Sequence, residues 1–185
     1  TMTGFRRPRI LICVPAGATP VERRAVYETA VQAGARKVYM IEEPVAASLG
    51  AGLPIDGPQA FMVVDIGGGT TDIAVLAQGN VVQARSLRVA GNAMDEAIMR
   101  YVRRRHGLVI GESNAERIKI EAGTALARPN GRQVEVHIKG RDLREGRLKS
   151  VVLGPRDMAE ALSLCVGELA EFVLRAIEDL PPAAA

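Results

Sequence analysis

Short apolar runs divided by turn residues dominate the first third of the chain, and they predict strands. One run extends from Arg9 to Val14 and indicates a buried strand, and another extends from Lys37 to Ile41. Between them, a cap residue, a first-turn proline and the glutamate of a capping box occur together in Thr19-Pro20-Val21-Glu22. A helix should therefore begin there and end near Gly34. This order predicts a βαβ unit with parallel strands and a right-handed crossover.

A glycine-rich turn lies between the next two apolar runs. Residues 61–76 read FMVVDIGGGTTDIAVL, which predicts a strand, a tight turn and a second strand. A third strand, Val81 to Val89, follows the turn residues Gln78-Gly79-Asn80. We therefore expect a three-stranded antiparallel meander.

The turn itself has the composition of an anion-binding loop. Consecutive glycines allow backbone N–H groups to converge on a ligand that no Cβ keeps away, and such a concavity suits a phosphate. The residues concerned are Gly67, Gly68 and Gly69, with the hydroxyls of Thr70 and Thr71 as further donors. Asp65 can hold a hydrated Mg²⁺ beside the phosphate. The alternative is a plain hairpin turn in which glycine supplies positive φ, but three glycines and two threonines exceed what a hairpin needs.

Helical periodicity of apolar residues characterises the second half of the chain. One helix has an apolar stripe made of Met94, Ile98, Tyr101 and Val102 and ends at Gly107. The next opens with the capping-box sequence Ser113-Asn114-Ala115-Glu116, which gives Glu116 a structural role, and Lys119 can pair with Glu116 at i,i+3. A long closing helix is predicted from Met158 to Leu180, before Pro181-Pro182.

A small inserted sheet is predicted before the closing helix. Its parts are a turn at Pro129-Asn130-Gly131, an alternating strand over residues 134–138, a charged loop from Arg141 to Lys149 and a strand from Ser150 to Leu153. His137 falls on the polar side of the alternation. Neither His106 nor His137 has metal-ligating neighbours in the sequence, so both are expected to face solvent.

Composition excludes several classes of function. The net charge of +3 is too small, and arginine too scattered, to indicate nucleic-acid binding. Cys13 and Cys165 fall in predicted core positions and indicate buried thiols in a reducing compartment. No apolar run reaches the roughly 18 residues of a membrane span, and the first residues lack a signal-peptide pattern. A cytoplasmic location is therefore expected.

A family resemblance covers almost the whole chain, from about Arg7 to Pro182. The superfamily of actin, sugar kinases and heat-shock chaperones has a second phosphate loop that resembles DIGGGTTDIAVL. Two flanking segments resemble the MreB family of bacterial actins. They read ILICVPAGATPVERRAVYETAVQAGARKVYMIEEPVAASLGAGLPI and AERIKIEAG. The resemblance implies an α/β fold of the actin-like ATPase (ribonuclease-H-like) type.

The resemblance also implies how that fold is divided along this chain. Residues 1–57 would end the first half-domain with the βαβ unit. Residues 58–185 would form the second half-domain, with its three-stranded meander, its helices and a small α+β insertion at about 127–154. The family has two phosphate loops and a late adenine-covering segment, and only one such loop occurs here. We therefore expect an incomplete, central part of the fold.

The resemblance assigns roles to single residues. Glu42-Glu43-Pro44 follows a predicted strand at the edge where open α/β sheets bind ligands, although the residues alone also fit a solvated helix start. In the superfamily the acid before this proline orients the attacking water, and Glu43 is the matching position. The expected cofactors are ATP and Mg²⁺. The expected site is made of catalytic Glu43 and Asp65, with Asp65 binding the metal through water, and of nucleotide-binding Gly67, Gly68, Gly69, Thr70, Thr71, Gly91, Glu116 and Lys119.

The implied function is that of a filament-forming, ATP-hydrolysing protein that organises cell shape. Its expected partners are further copies of itself, the inner face of the cell membrane and cell-elongation proteins. This chain alone is expected to bind ATP weakly, to be inactive, and to associate through uncovered edges as a paired or swapped dimer. The alternatives are a DnaK-type chaperone ATPase fragment and a sugar-kinase-type phosphotransferase. The short insertion and the segment VPAGATPVERRA favour the MreB family over these alternatives.

Overall fold

A computed structural model describes residues 7–128 and 134–180 as eight strands and five helices. In chain order the elements are β1 (Arg9–Val14), α1 (Pro20–Gln32), β2 (Lys37–Glu42), α2 (Glu43–Gly50), β3 (Ala60–Ile66), β4 (Thr71–Ala77), β5 (Asn80–Leu87), α3 (Gly91–His106), β6 (Leu108–Val109), α4 (Glu112–Ala122), β7 (Val136–Asp142), β8 (Leu148–Leu153) and α5 (Pro155–Glu178). The predicted turn at Pro129-Asn130-Gly131 and the predicted stop at Pro181-Pro182 lie outside the described residues.

Backbone contacts divide the described chain into two units. The first unit contains residues 7–65, 72–86 and 176–180, and the second contains residues 66–71 and 87–175. The predicted division into half-domains at residues 57 and 58 concerns the complete actin-like architecture and stays a prediction.

The first unit begins with the predicted βαβ arrangement. β1 and β2 pair in parallel from Arg9 opposite Lys37 to Val14 opposite Glu42. The capping box at the start of α1 is confirmed: the Thr19 N–H donates to Glu22 Oε2 at 2.8 Å, and the Glu22 N–H donates to Thr19 Oγ1 at 3.3 Å. The hydrogen bonds from the Thr19 backbone and side chain lower the pKa of Glu22.

β1 is less buried than its apolar sequence predicts. Val14 is 2% exposed, but Leu11 is 64% exposed and Cys13 is exposed as well. Exposure alternates along the strand, so one side of this sheet is covered and the other is not covered by any residue that the structure describes. The prediction of a buried Cys13 is therefore wrong, whereas the burial of Cys165 in α5 is confirmed.

The three-stranded sheet of the first unit has the predicted order β3-β4-β5. β4 is its central and most buried strand, and its apolar stretch from Ile73 to Leu76 is at most 2% exposed. The turn into β5 has positive φ at both Gln78 (52°) and Gly79 (74°), as the favoured two-residue hairpin turns require. Ala74 and Leu76 form a small core with Ile55.

The second unit is built around α3, α4, most of α5 and the sheet β6-β7-β8. α3 ends at Gly107, which has a φ of 65° and caps the helix in the left-handed conformation. The buried core of this unit contains Ile98, Tyr101, Val102, Leu108, Ile110, Ala115, Ile118, Ala122, Val136, Ile138, Leu153, Met158 and Leu162. It follows the apolar periodicity of the three helices and the alternation of β7.

Two predicted boundaries in the second unit are wrong. α4 begins at Glu112 with Gly111 as its cap and no side-chain capping bond, so the predicted capping box at Ser113 does not form. β7 continues to Asp142 and β8 begins at Leu148, which shortens the predicted loop of residues 141–149 to a turn. The buried Asp142 carboxylate stabilises this turn, and the hydrogen bonds it accepts from the N–H groups of Glu145 and Arg144 lower its pKa.

The histidines have different environments. His137 is exposed, as predicted, but His106 is half-buried and packs edge-on against Tyr101 with the ring centroids 6.2 Å apart. His106 Nε2 is buried and has no hydrogen-bond partner among the described residues. The Tyr101 hydroxyl donates to Asp157 Oδ1 at 2.7 Å, and burial together with this bond raises the pKa of Tyr101.

The described residues contain no helix that is both long and apolar enough to cross a membrane. They contain no group of three or more His, Cys, Asp and Glu side chains arranged to hold a metal ion.

Two leucines of α5 allow a matched test of the core of the second unit. Leu162 is 5% exposed and Leu164 is 77% exposed. Leu162→Ala should lower the free energy of unfolding by about 2–5 kcal/mol, because it leaves a cavity in the core. Leu164→Ala should change it by less than about 0.5 kcal/mol. Urea unfolding followed by circular dichroism measures both, and equal losses would contradict this assignment of the core.

Candidate functional site

The glycine-rich turn between β3 and β4 is closed by a hydrogen bond from the Gly67 N–H to the Thr70 carbonyl at 2.9 Å. None of its three glycines has positive φ. Among the described residues, the glycines with positive φ are Gly34, Gly52, Gly79, Gly107 and Gly146. The plain hairpin interpretation, in which glycine supplies positive φ, therefore does not explain the three glycines of this turn.

The space available for a side chain differs among the three glycines of the turn. A Cβ added to Gly67 would lie 3.3 Å from the Thr70 carbonyl oxygen, and one added to Gly68 would lie 3.4 Å from Asn92 Oδ1. A Cβ added to Gly69 would meet nothing within 4 Å, and Gly69 is exposed. Packing within the described chain therefore does not require glycine at position 69. A ligand that approaches the backbone would require it.

The turn is attached to the beginning of α3. The Gly91 N–H donates to the Gly67 carbonyl at 3.0 Å, and the Asn92 N–H donates to the Gly68 carbonyl at 2.8 Å. A Cβ on Gly91 would lie 3.3 Å from that Gly67 oxygen, so close approach explains the glycine at the helix entry. This attachment places the positive end of the α3 dipole beside the turn, where an anion is favoured.

The two threonines of the turn differ in what their hydroxyls can do. Thr71 is completely buried, and its hydroxyl donates to the Val89 carbonyl at 2.7 Å. The Thr71 hydroxyl proton is therefore already used in a hydrogen bond to the segment that leads into α3. Thr70 is exposed, and its hydroxyl makes no hydrogen bond within the described part of the chain. Of the two predicted phosphate-binding threonines, only Thr70 keeps its hydroxyl available as a donor.

Lys119 of α4 does not pair with Glu116, which corrects the i,i+3 interpretation of the sequence. Its ammonium group donates to Asp95 Oδ2 at 2.8 Å and to the Gly91 carbonyl at 3.1 Å. This long-range partner lies on α3 and its side chain is mostly buried, whereas Glu116 is exposed. The structure therefore brings Lys119 to the same helix entry that contacts the glycine turn.

A cleft of about 330 Å³ opens between α3 and α4. Its lining residues are Asn92, Asp95, Glu96, Met99, Glu112, Ser113 and Glu116. The carboxylate of Glu116 has neither a hydrogen bond nor an ion pair with any residue that the structure describes. Four of the seven lining residues are acidic, and two of them, Asp95 and Glu96, are paired with Lys119 and Arg100. The two remaining carboxylates favour the uncharged, hydroxyl- or amino-bearing part of a ligand over its phosphates.

The first unit contains the two predicted catalytic carboxylates. Glu43 is the first residue of α2 and is half-buried, and Asp65 is exposed near the end of β3. Within the described residues neither carboxylate has a hydrogen bond or ion pair. Both are therefore free to act on a ligand, a water molecule or a metal ion.

The carboxylate of the neighbouring residue Glu42 forms an ion pair. Arg23 Nη2 lies 2.7 Å from Glu42 Oε1, and Arg23 Nε also donates to the Ala18 carbonyl at 3.2 Å. Of the adjacent pair Glu42 and Glu43, the structure thus gives Glu42 a structural partner and leaves Glu43 without one. Sequence analysis missed Arg23, because its pairing depends on how α1 packs against the end of β2.

Known proteins resemble this chain along nearly its whole length. The family model described as MreB/Mbl protein matches residues 1–185. The chain belongs to the MreB/Mbl family. It is 49% identical over 175 residues to the cell shape-determining protein MreB of Escherichia coli K12, a match that covers 95% of this chain and 50% of that protein. It is 41% identical over 178 residues to the cell shape-determining protein Mbl of Bacillus subtilis 168, with coverages of 96% and 53%.

Solved structures of MreB 5 from Spiroplasma citri share the fold. The structure bound to AMPPNP matches with a TM-score of 0.89 and 34% identity, over 94% of this chain and 52% of that chain. The structure bound to ADP matches with a TM-score of 0.90 and 34% identity, over 95% and 53%. The predicted actin-like α/β fold and the MreB resemblance are confirmed. The chain spans about half the length of the relatives it matches.

The different environments of Thr70 and Thr71 can be tested through stability. Thr71→Val removes a buried donor from the Val89 carbonyl and should lower the free energy of unfolding by about 1–3 kcal/mol. Thr71→Ser keeps the donor and should lose less than Thr71→Val does. Thr70→Val, at the exposed position, should stay within about 0.5 kcal/mol of the unmodified protein. Denaturant titrations measure the free energy of unfolding of each variant. If Thr71→Val leaves it unchanged, the hydrogen bond from the Thr71 hydroxyl does not contribute to stability.

Proposed function

We propose that this chain supplies the phosphate-binding turn and the adenosine cleft of an ATP-dependent filament protein that determines cell shape. The observation that carries the proposal is the turn itself: it is attached to the N-terminus of α3, and its Gly69 is exposed, with open space where a Cβ would lie. The names of the MreB and Mbl relatives, and the nucleotides in the MreB 5 structures, support it.

The proposed chemistry is phosphoryl transfer to water, which depends on positioning and electrostatic stabilisation. Backbone N–H groups of Gly68, Gly69 and Thr70 would bind phosphate oxygens, and the α3 dipole would stabilise their charge. Glu43 would orient the attacking water, since it has no competing partner in the described structure. Asp65 would bind Mg²⁺ through water, because an exposed, unpartnered carboxylate at a strand end fits that role. The ion would neutralise charge on the phosphates.

The acidic cleft between α3 and α4 would receive the nucleoside. Glu116 is the proposed contact, because its carboxylate is unpartnered and can accept hydrogen bonds from ribose hydroxyls. The proposed contact of Lys119 with adenosine has less support, because its ammonium group is already bound between Asp95 and Gly91.

The proposed biological role is assembly. ATP binding would favour head-to-tail contacts between copies, which are heterologous and therefore produce filaments. The proposed site of assembly is the cytoplasmic face of the cell membrane, with cell-elongation proteins as partners. The relatives named for cell-shape determination support this role.

Gly69→Ala tests the phosphate-binding role of the turn. Its Cβ should obstruct a phosphate and lower the ATP affinity of the complete gene product about tenfold or more, since preorganised donors would be displaced. ATP-dependent pelleting should be lost with it. The matched control is Gly17→Ala, whose Cβ also meets nothing within 4 Å but lies in another loop. Calorimetry and sedimentation measure the two effects, and equal ATP binding by both variants would contradict the proposal.

The two unpartnered carboxylates should have separable effects on turnover. Asp65→Ala should abolish Mg²⁺-dependent ATP hydrolysis. Glu43→Ala should leave ATP affinity nearly unchanged and slow hydrolysis by about 10²–10⁴-fold, because it acts only on the attacking water. Glu42→Gln is the control, since Glu42 is occupied by Arg23 and its variant should hydrolyse ATP normally. Phosphate release and nucleotide binding measure this, and equal loss of binding in the Asp65 and Glu43 variants would refute separate roles.

A further inference from the structure

We infer that Asp95 is a positioning residue for the glycine turn and acts on it through Lys119. This inference rests on the proposed function, because it concerns how that turn binds phosphate. Asp95 is not one of the site residues predicted from the sequence. Its importance appears only from the contacts that connect α4, the entry of α3 and the turn.

The ammonium group of Lys119 lies between two acceptors of α3. It is 2.8 Å from Asp95 Oδ2 and 3.1 Å from the carbonyl oxygen of Gly91, the first residue of the helix. The side chains of Lys119 and Asp95 are only 21% and 13% exposed. Solvent therefore screens this ion pair less than it screens the exposed pairs of the surface helices.

Gly91 transmits the contact to the turn. Its carbonyl accepts from Lys119, while its N–H donates to the Gly67 carbonyl at 3.0 Å. A Cβ at this position would lie 3.3 Å from Lys119 Nζ and 3.3 Å from the Gly67 oxygen. One glycine is thus held on both sides, by the lysine at its carbonyl and by the turn at its N–H.

The charge of Asp95 determines where Lys119 points. Asp95 Oδ1 is buried and has no hydrogen-bond partner in the described part of the chain, so Lys119 is the main compensation for that carboxylate. Without the carboxylate, the lysine side chain would retain only the carbonyl of Gly91 and could turn toward the acidic cleft. The helix entry would then lose the contact that fixes it, and the turn amides would lose their alignment.

Small displacements of this kind weaken phosphate binding more than nucleoside binding. The phosphates would be bound by backbone N–H groups whose direction is fixed by the turn, and such donors act through preorganisation. The proposed nucleoside contact, Glu116, is not bonded to Lys119 or Asp95. The loss of affinity should therefore affect ligands that carry phosphates and spare the nucleoside alone.

The test uses calorimetry on the complete gene product with ATP, ADP and adenosine. Asp95→Asn and Lys119→Gln should each lower the affinity for ATP and ADP about tenfold, the usual effect of removing a residue that orients a ligand-binding group. Adenosine affinity should stay within about twofold, and the double variant should be no weaker than the weaker single variant. Glu121→Gln is the matched control, because Glu121 also lies on α4 and pairs with Arg117 at the exposed surface, but does not line the cleft.

Three results would overturn the inference. An equal loss of adenosine affinity in Lys119→Gln would mean that the lysine contacts the nucleoside. A loss in Lys119→Gln without a loss in Asp95→Asn would mean that Asp95 does not direct it. Losses that multiply in the double variant would mean that the two residues act independently.

Hydrogen exchange separates this inference from the proposed function. The amide protons of Gly91 and Asn92, which donate to the turn, should exchange several-fold faster in Asp95→Asn and Lys119→Gln than in the unmodified protein. They should be unchanged in Glu121→Gln. If the unmodified protein binds neither ATP nor ADP, the proposed function fails and exchange alone decides the positioning role. Unchanged exchange in both variants overturns it.

Discussion

The attachment of the glycine turn to the entry of α3 is the constraint on which the rest of the candidate site depends. Two backbone amides of the helix, those of Gly91 and Asn92, donate to carbonyls of the turn, and the Thr71 hydroxyl donates to the Val89 carbonyl just before the helix. Three bonds thus join two segments about twenty residues apart. The first N–H groups of a helix have no acceptor inside the helix. The amides of Gly91 and Asn92 can therefore bind the turn without breaking any hydrogen bond within α3.

Features that depend on local sequence were predictable. The capping box at Thr19 and the left-handed cap at Gly107 each need only neighbouring residues, and both form as predicted. The alternation of β7 and the periodicity of α3 also identify their buried sides, since those patterns follow directly from strand and helix geometry. The family resemblance added the architecture that local patterns leave open.

Contacts between distant segments were not predictable from periodicity. The i,i+3 rule pairs Lys119 with Glu116, but the lysine reaches Asp95, 24 residues away, because tertiary packing offers a buried carboxylate. Arg23 and Glu42 meet only through the packing of α1 on β2. β6 has two residues and exists because Leu108 and Val109 meet the far end of β7. The exposure of Cys13 likewise depends on which side of a sheet is covered.

The three glycines show that one shared explanation does not account for every glycine in a motif. The sequence suggests one shared reason, freedom of the backbone, yet none of the three has positive φ. Gly67 is explained by the closure of the turn and Gly68 by the approach of Asn92, both internal to the fold. Only Gly69 lacks an internal reason. The proposed phosphate binding therefore depends most on Gly69, because the structure accounts for the other two glycines without a ligand.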